Sequence, residues 1–317
     1  MPASIKRGGA LTLLAALCAA LASCTTGEAH SPTSIGIAGA RVFPESITSD
    51  NLGTIYVGSN PGTIYRARSG DSEAVPWIVP DAENGLQSVF GVLADDPRGL
   101  LWVCSNPGPG ASGAATLKAF ELTSGRLHSG YPFPGTARAL CNDIAIAPDG
   151  TVHATDTIGG RIVTLAPGAS TLAEFAASAE LRGIDGIAFA DDGTLYVNNV
   201  QQNLLQRVER AEGRFGGLTT IATSLPLSGP DGLRAIGGNR FLQAEGPGGR
   251  VSLVTIADDR AVMLPLATGL DYPASMTLVG RTVYVPEGKI GYLFDAAKRD
   301  ADPGPFTIHA VALEAGQ

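Results

Sequence analysis

Short runs in which apolar and polar residues alternate recur along the chain, broken every few residues by Gly, Pro, Asn or Asp. The clearest covers residues 184–199. An acid stands at its entrance, an alternating stretch follows, Asp191-Asp192-Gly193 turns the chain, and Thr194-Leu195-Tyr196-Val197 returns it. Alternation of period two with a tight polar turn predicts a pair of antiparallel strands. The same pattern occurs six times, anchored on Ile47, Val92, Ile144, Ile187, Leu233 and Met276, with spacings of 45, 52, 43, 46 and 43 residues. A period of about 40–50 residues with several short strands per unit is the signature of a β-propeller. The predicted fold is therefore all-β, a six-bladed β-propeller with four-stranded blades.

Within each repeat the anchor strand is expected innermost and the strand after the Gly turn second. Third strands are expected at 63–66, 116–122, 161–165, 203–208, 250–254 and 289–294. Outer strands are expected at 74–79, 172–176, 218–225 and 261–267. Residues 34–43 and 306–313 both look strand-like, and one of them is expected to close the ring by completing the last blade. The second strands carry a bulky residue at one repeated position, Tyr56, Trp102, His153, Tyr196 and Tyr284. Alternation places these on one sheet face, so His153 reads as a packing residue rather than a base. Residues 106–113 are too rich in Gly and Pro for a strand and read as a surface loop.

The residues two before the anchors are Glu45, Phe90, Asn142, Asp185, Asp231 and Ala274. Innermost strands all start at the same end of a propeller channel, so these positions share an axis. Three carboxylates and a carboxamide converge there. Like charges so close raise one another's pKa, and a divalent cation relieves the conflict. Oxygen donors from Asp, Glu and Asn suit Ca²⁺ best, with Mg²⁺, Mn²⁺ or Zn²⁺ as substitutes. Asp231 is also the candidate general base, and Asn142 a candidate substrate contact. The ends of the second strands form another ring, in which Asp156, Asn199 and Glu245 are candidate substrate-binding residues. No serine-hydrolase elbow and no Cys/His zinc motif is present in the sequence.

Composition narrows the setting. Lys and Arg number 22 against 30 Asp and Glu, a net charge of −8, with no basic cluster. Nucleic-acid binding needs a Lys/Arg footprint and is not expected; a small-molecule substrate is. At the N-terminus, Lys6 and Arg7 precede an apolar stretch that ends in Leu21-Ala22-Ser23-Cys24. It is too short to span a membrane and reads as an export signal. Leu-Ala-Ser-Cys resembles the lipobox of bacterial lipoproteins, which makes Cys24 the lipidation site. Ordinary cleavage after Ala20 or Ala22 is the alternative. The expected organisation is a signal at 1–23, a flexible tether at 24–33 and one propeller domain at 34–317. The expected location is exported, either lipid-anchored in the cell envelope or periplasmic or secreted. Cys104 and Cys141 either pair, as export permits, or stay as separate buried thiols.

Phe43-Pro44-Glu45-Ser46-Ile47, Asn142-Asp143-Ile144-Ala145-Ile146-Ala147-Pro148-Asp149-Gly150, Ile184-Asp185-Gly186-Ile187 and Pro230-Asp231-Gly232-Leu233 together resemble the senescence marker protein/gluconolactonase/regucalcin family, and more distantly diisopropyl fluorophosphatase. The resemblance implies a six-bladed propeller with one divalent metal in its channel. It matches Glu45 and Asp231 to metal ligands and Asn142 to an asparagine that binds metal or substrate. It sets Asp185 where the family has an asparagine ligand. The lactonase arginine two residues before that asparagine is replaced by Leu140, with Arg138 further off. The last repeat offers no equivalent of the fluorophosphatase histidine. The leading expectation is an exported metal-dependent hydrolase of lactones or esters. The alternative is a non-catalytic propeller that binds a ligand or partner, with the metal as a structural pin.

Overall fold

A computed structural model describes residues 1, 33–108, 113–135 and 138–314. The expected signal, the lipidation site Cys24 and almost all of the tether lie outside the described residues. The chain divides into two units, Met1–Ser31 and Pro32–Gln317.

In the Pro32–Gln317 unit the regular structure is nearly all strand, arranged as antiparallel four-stranded meanders. The first repeat runs Pro44–Ser49, Ile55–Ser59, Ile64–Ala67 and Glu73–Ile78. The second runs Ser88–Asp95, Leu100–Asn106, Thr116–Glu121 and Leu127–Pro132. The third runs Cys141–Ile146, Val152–Asp156, Arg161–Leu165 and Ala173–Ala177. The fourth runs Ile184–Phe189, Leu195–Asn199, Leu204–Ala211 and Arg214–Thr220. The fifth runs Pro230–Ala235, Arg240–Glu245, Arg250–Ala257 and Arg260–Thr268. Inner strands of neighbouring repeats touch from the first to the fifth and the last touches the first, and Gly232 N donates to Ala274 O between the fifth and the last, so the meanders stand around a common axis. All six anchors are buried, none above 1% exposed, which is why the period was visible.

The last repeat departs from expectation. Residues 289–294 are not its third strand; Gly291–Phe294 is a short helix. Phe306–Ala312 takes the third place, beside Thr282–Pro286. Ile35–Ile37 then adds as the outermost strand, antiparallel to Phe306–Ala312. Both termini therefore complete this sheet. Ile35–Ile37 also pairs in parallel with Glu73–Ile78 of the first repeat, joining two meanders into one eight-stranded sheet. The outer strand of the fourth repeat ends at Thr220, and Ala222–Thr223 crosses to pair in parallel with the outer strand of the fifth.

The bulky second-strand residues fill the wedges between meanders. Tyr56 packs on Trp77, and Tyr196 meets Phe241 edge-on across the gap between the fourth and fifth repeats. His153 belongs to this set: its ring sits against Phe175 and Phe189, and burial lowers its pKa to about 4. It is a neutral packing residue, as its position in the repeat suggested. Cys104 and Cys141 are bonded across the second and third repeats, 37 residues apart in sequence. Closing a loop of that size stabilises a fold by about 2–4 kcal/mol on chain-entropy grounds.

Candidate metal centre

The inner strands of the first five repeats each carry a register shift at the position that precedes the anchor: Pro44/Ser46, Val89/Val92, Cys141/Ile144, Ile184/Ile187 and Pro230/Leu233. A bulge re-aims the side chains beside it. Here the shifts flank the acidic positions found by sequence. Glu45, Asn142, Asp185 and Asp231 all line one small cavity, together with Ser46, Gly91, Asp143, Gly232, Ala274 and Ser275. Its volume is about 10 Å³, room for a single water-sized particle.

The glycines beside these acids answer to packing rather than to turns. A Cβ on Gly186 would stand 2.2 Å from the Asp231 carbonyl oxygen, and one on Gly91 2.2 Å from that of Asn142. Adjacent inner strands approach so closely at the axis that no side chain fits. The Asp-Gly pairs at 185–186 and 231–232 therefore lie in strands. Second-strand side chains hold the acid-bearing carbonyls in place: Thr155 Oγ1 donates to Asp185 O at 2.9 Å and Asn198 Nδ2 to Asp231 O at 2.8 Å.

Asn142 Nδ2 donates to Asp185 Oδ2 at 2.8 Å and to Thr157 Oγ1 at 3.0 Å. This fixes the amide so that its oxygen is free for another partner. Asn60 Nδ2 donates to Glu45 Oε2 at 2.9 Å. Desolvation pushes Glu45 up to about 7, against the lowering effect of Asn60. Asp185 and Asp231 are each raised well above the usual carboxylate range, first by burial and then by neighbouring acids.

Among the described residues no three His, Cys, Asp or Glu side chains are already drawn together as metal ligands. The donor set nonetheless fits a hard divalent cation: it is oxygen-only. The Ser275 hydroxyl adds an independent sign. Ser275 is 2% exposed and lines the cavity, and its oxygen has no partner. A buried polar atom left unpaired is unfavourable by about 1–3 kcal/mol and calls for a missing partner.

Below the acids lies a charge pair that sequence reasoning missed. Arg234 grips Asp143 through Nη1–Oδ2 and Nη2–Oδ1, both 2.8 Å. Asp143 also accepts from the Ile144 and Ile187 amides. Asp143 faces the acidic cavity, while Arg234 lines a larger cavity of about 260 Å³ walled by Ile144, Ile187, Leu233 and Phe189. The pair separates the two spaces.

The second ring has a different task from the one expected. Asp156, Asn199 and Glu245 are fully buried. Asp156 pairs with Arg161 at 2.7 Å and accepts from the Leu140 and Gly159 amides. Glu245 pairs with Arg250 at 2.6 Å and accepts from the Ser228 amide. Asn199 donates to Arg182 O and accepts from Gln202 N. Each ties the loop before an inner strand to the turn after a second strand, so these are loop pins rather than substrate contacts.

No family profile and no curated protein matches the chain. Solved structures do. A protein assigned as a gluconolactonase aligns with a TM-score of 0.64 at 18% identity, over 89% of this chain and 94% of its own. The calcium-binding protein regucalcin from Agrobacterium tumefaciens aligns with a TM-score of 0.58 at 16% identity, over 89% and 97%. Virginiamycin B lyase from Staphylococcus aureus, solved with quinupristin as an inactive variant, aligns with a TM-score of 0.59 at 13% identity, over 89% and 99%. Likeness at such identities carries the fold: this chain shares the propeller architecture of gluconolactonase- and regucalcin-like proteins.

Proposed function

We propose that the chain is an exported, metal-dependent hydrolase of lactones or esters on a six-bladed propeller. One divalent cation, Ca²⁺ by preference, is held on the axis by Glu45, Asn142, Asp185 and Asp231, with Ser275 beside them. The observation that carries this reading is the convergence of three acids, an amide and an orphaned hydroxyl on a cavity the size of one ion. Such a cation supplies Lewis-acid polarisation of a carbonyl and acidifies water. In this reading Asp231 accepts a proton from the attacking water and Asn142 orients the substrate. Leu140 stands where a lactonase arginine is expected, which argues against sugar acids as substrates.

A second reading is a ligand-binding propeller with a structural cation. It is favoured by the size of the cavity, which holds the ion alone and leaves a substrate to sit above it. One experiment separates the two. Calcium is titrated calorimetrically into the metal-stripped protein, its Glu45→Ala variant and the surface control Glu83→Ala, and a lactone and ester panel is then assayed with and without calcium. The expected result is one ion per chain, lost only in Glu45→Ala, with calcium-dependent hydrolysis. Binding without hydrolysis favours the structural cation, and no binding removes the metal site.

Export is a separate proposal, resting on the basic start, the apolar stretch and the lipobox-like Leu21-Ala22-Ser23-Cys24. Cys24→Ser is expected to move the protein from the membrane fraction to the soluble one. An unchanged distribution would indicate plain cleavage and no anchor.

A further inference from the structure

The acidic ring has a gap. Where four repeats place Glu45, Asn142, Asp185 and Asp231 on the axis, the last repeat places Ala274. Two residues earlier stands Tyr272, whose backbone is left-handed at φ 60°. That conformation is uncommon for any residue with a side chain and is a genuine outlier for a bulky one. Such strain persists only where its surroundings enforce it, and it clusters at functional sites.

The surroundings do enforce it. The Tyr272 amide donates to Leu270 O at 3.1 Å, and its carbonyl accepts from Gly288 N at 2.9 Å. A side chain on Gly288 would stand 2.8 Å from the Tyr272 oxygen and 3.0 Å from that of Pro44, the residue before Glu45. The ring lies against Gly246, where an added Cβ would come within 2.6 Å of Cε1. Two glycines just beyond second strands thus clear the space for one tyrosine. They set it at the ends of the fifth and last repeats' second strands, with the Pro44 carbonyl on the other side of Gly288.

The phenol is half-buried and makes no hydrogen bond with any described residue. Its titration is raised by burial, then by the charges of Asp231, Glu45 and Asp185 in that order. A phenol keeps its proton at neutral pH, so this O–H is an unpaired donor.

We propose that Tyr272 is a substrate-contacting donor, whose O–H receives the carbonyl oxygen of an ester or lactone seated over the acidic cavity. This rests on the hydrolase reading above. As water bonds to the carbonyl carbon, the C=O π pair moves onto oxygen and the water proton passes to Asp231. Tyr272 hydrogen bonds the resulting oxyanion without giving up its proton. Collapse restores C=O, breaks the bond to the leaving oxygen, and returns the proton from Asp231 to that alkoxide. A donor aimed at developing charge acts on the transition state more than on the ground state.

The test uses methylphosphonate as a non-reacting oxyanion, titrated into the calcium-loaded protein. Tyr272→Phe is expected to weaken its binding by about tenfold or more, with calcium affinity unchanged. Gly246→Ala, which displaces the ring but keeps the hydroxyl, is expected to give the same loss. In the hydrolysis assay Tyr272→Phe should lower kcat by about 10- to 100-fold with little change in KM. The proposal is overturned if Tyr272→Phe binds methylphosphonate as tightly as the parent, or if the parent does not bind it. Failure of the hydrolase reading looks different: the parent cleaves no ester or lactone, whatever the phosphonate titration shows.

Discussion

Asp231→Asn is expected to stabilise the calcium-free protein while weakening its calcium binding by about 100-fold or more. The two signs follow from one cause. Asp185 and Asp231 stand together, buried, with Glu45 and Asp143 nearby. Without a cation they ionise only against desolvation and one another, so the fold retains protons that the unfolded chain releases. For Glu45 the retained proton spans the interval from 4.5 to about 7. Below that interval both states are protonated and the group has no effect on stability. As pH rises through it, the unfolded state loses its proton first and stability falls, for this one carboxyl by on the order of 3 kcal/mol in total. Asp185 and Asp231 are raised further and extend the fall to higher pH. An amide at 231 keeps the shape while removing one charge. The check is urea unfolding at about pH 5 and about pH 8, each with chelator and with calcium. The parent should lose stability toward the higher pH only in chelator, and Asp231→Asn should lose less. A parent with no pH dependence in chelator, or a variant that binds calcium normally, would falsify the assignment of this cluster as a metal centre.

The acidic positions could be read from sequence because two regularities coincide at them. The anchors repeat since each fills an interior slot, and the acids repeat since each inner strand enters the axis at the same end. What the repeat could not convey is contact between residues at unlike positions. Arg234 follows the Leu233 anchor and Asp143 precedes the Ile144 anchor, 91 residues apart in sequence, and nothing local links them. Tyr272 lies in a loop that carries no period. Its only trace is indirect, in Gly246 and Gly288 just after second strands. The second ring was misread because burial there is decided by a partner five residues on, Asp156 with Arg161 and Glu245 with Arg250. An acid and an arginine at that spacing across a turn are a signal of pairing that was present in the sequence. The last sheet was misread because a ring must close. The chain leaves Pro286, forms the Gly291–Phe294 helix, and returns only at Phe306. The apolar residues at 290, 292 and 293 pack that excursion and do not alternate as a strand does.

Arg234→Met should unfold the calcium-free protein more readily than any single change to the acids, with a loss of about 3–5 kcal/mol. Asp143 is 4% exposed and depends on Arg234 for two of its hydrogen bonds. Removing the guanidinium leaves a buried carboxylate whose remaining partners are two backbone amides, beside Asp185 and Asp231, whose charges it already opposes. The arginine also bonds the carbonyls of Leu233 and Val92, so the change loosens three repeats at once. A double variant, Asp143→Asn with Arg234→Met, removes the stranded charge and should recover a substantial part of the loss; a purely steric role for Arg234 would give no recovery. Calcium distinguishes the electrostatic account further. With the Arg234 guanidinium gone, the ring carries more uncompensated negative charge, so the single variant should bind calcium more tightly than the parent although it is less stable without it. Asp231→Asn shifts both quantities the other way. Opposite responses to removing a positive and a negative charge are what a field centred on the axis requires. Weaker calcium binding in both variants would instead mean that the two positions matter only for packing.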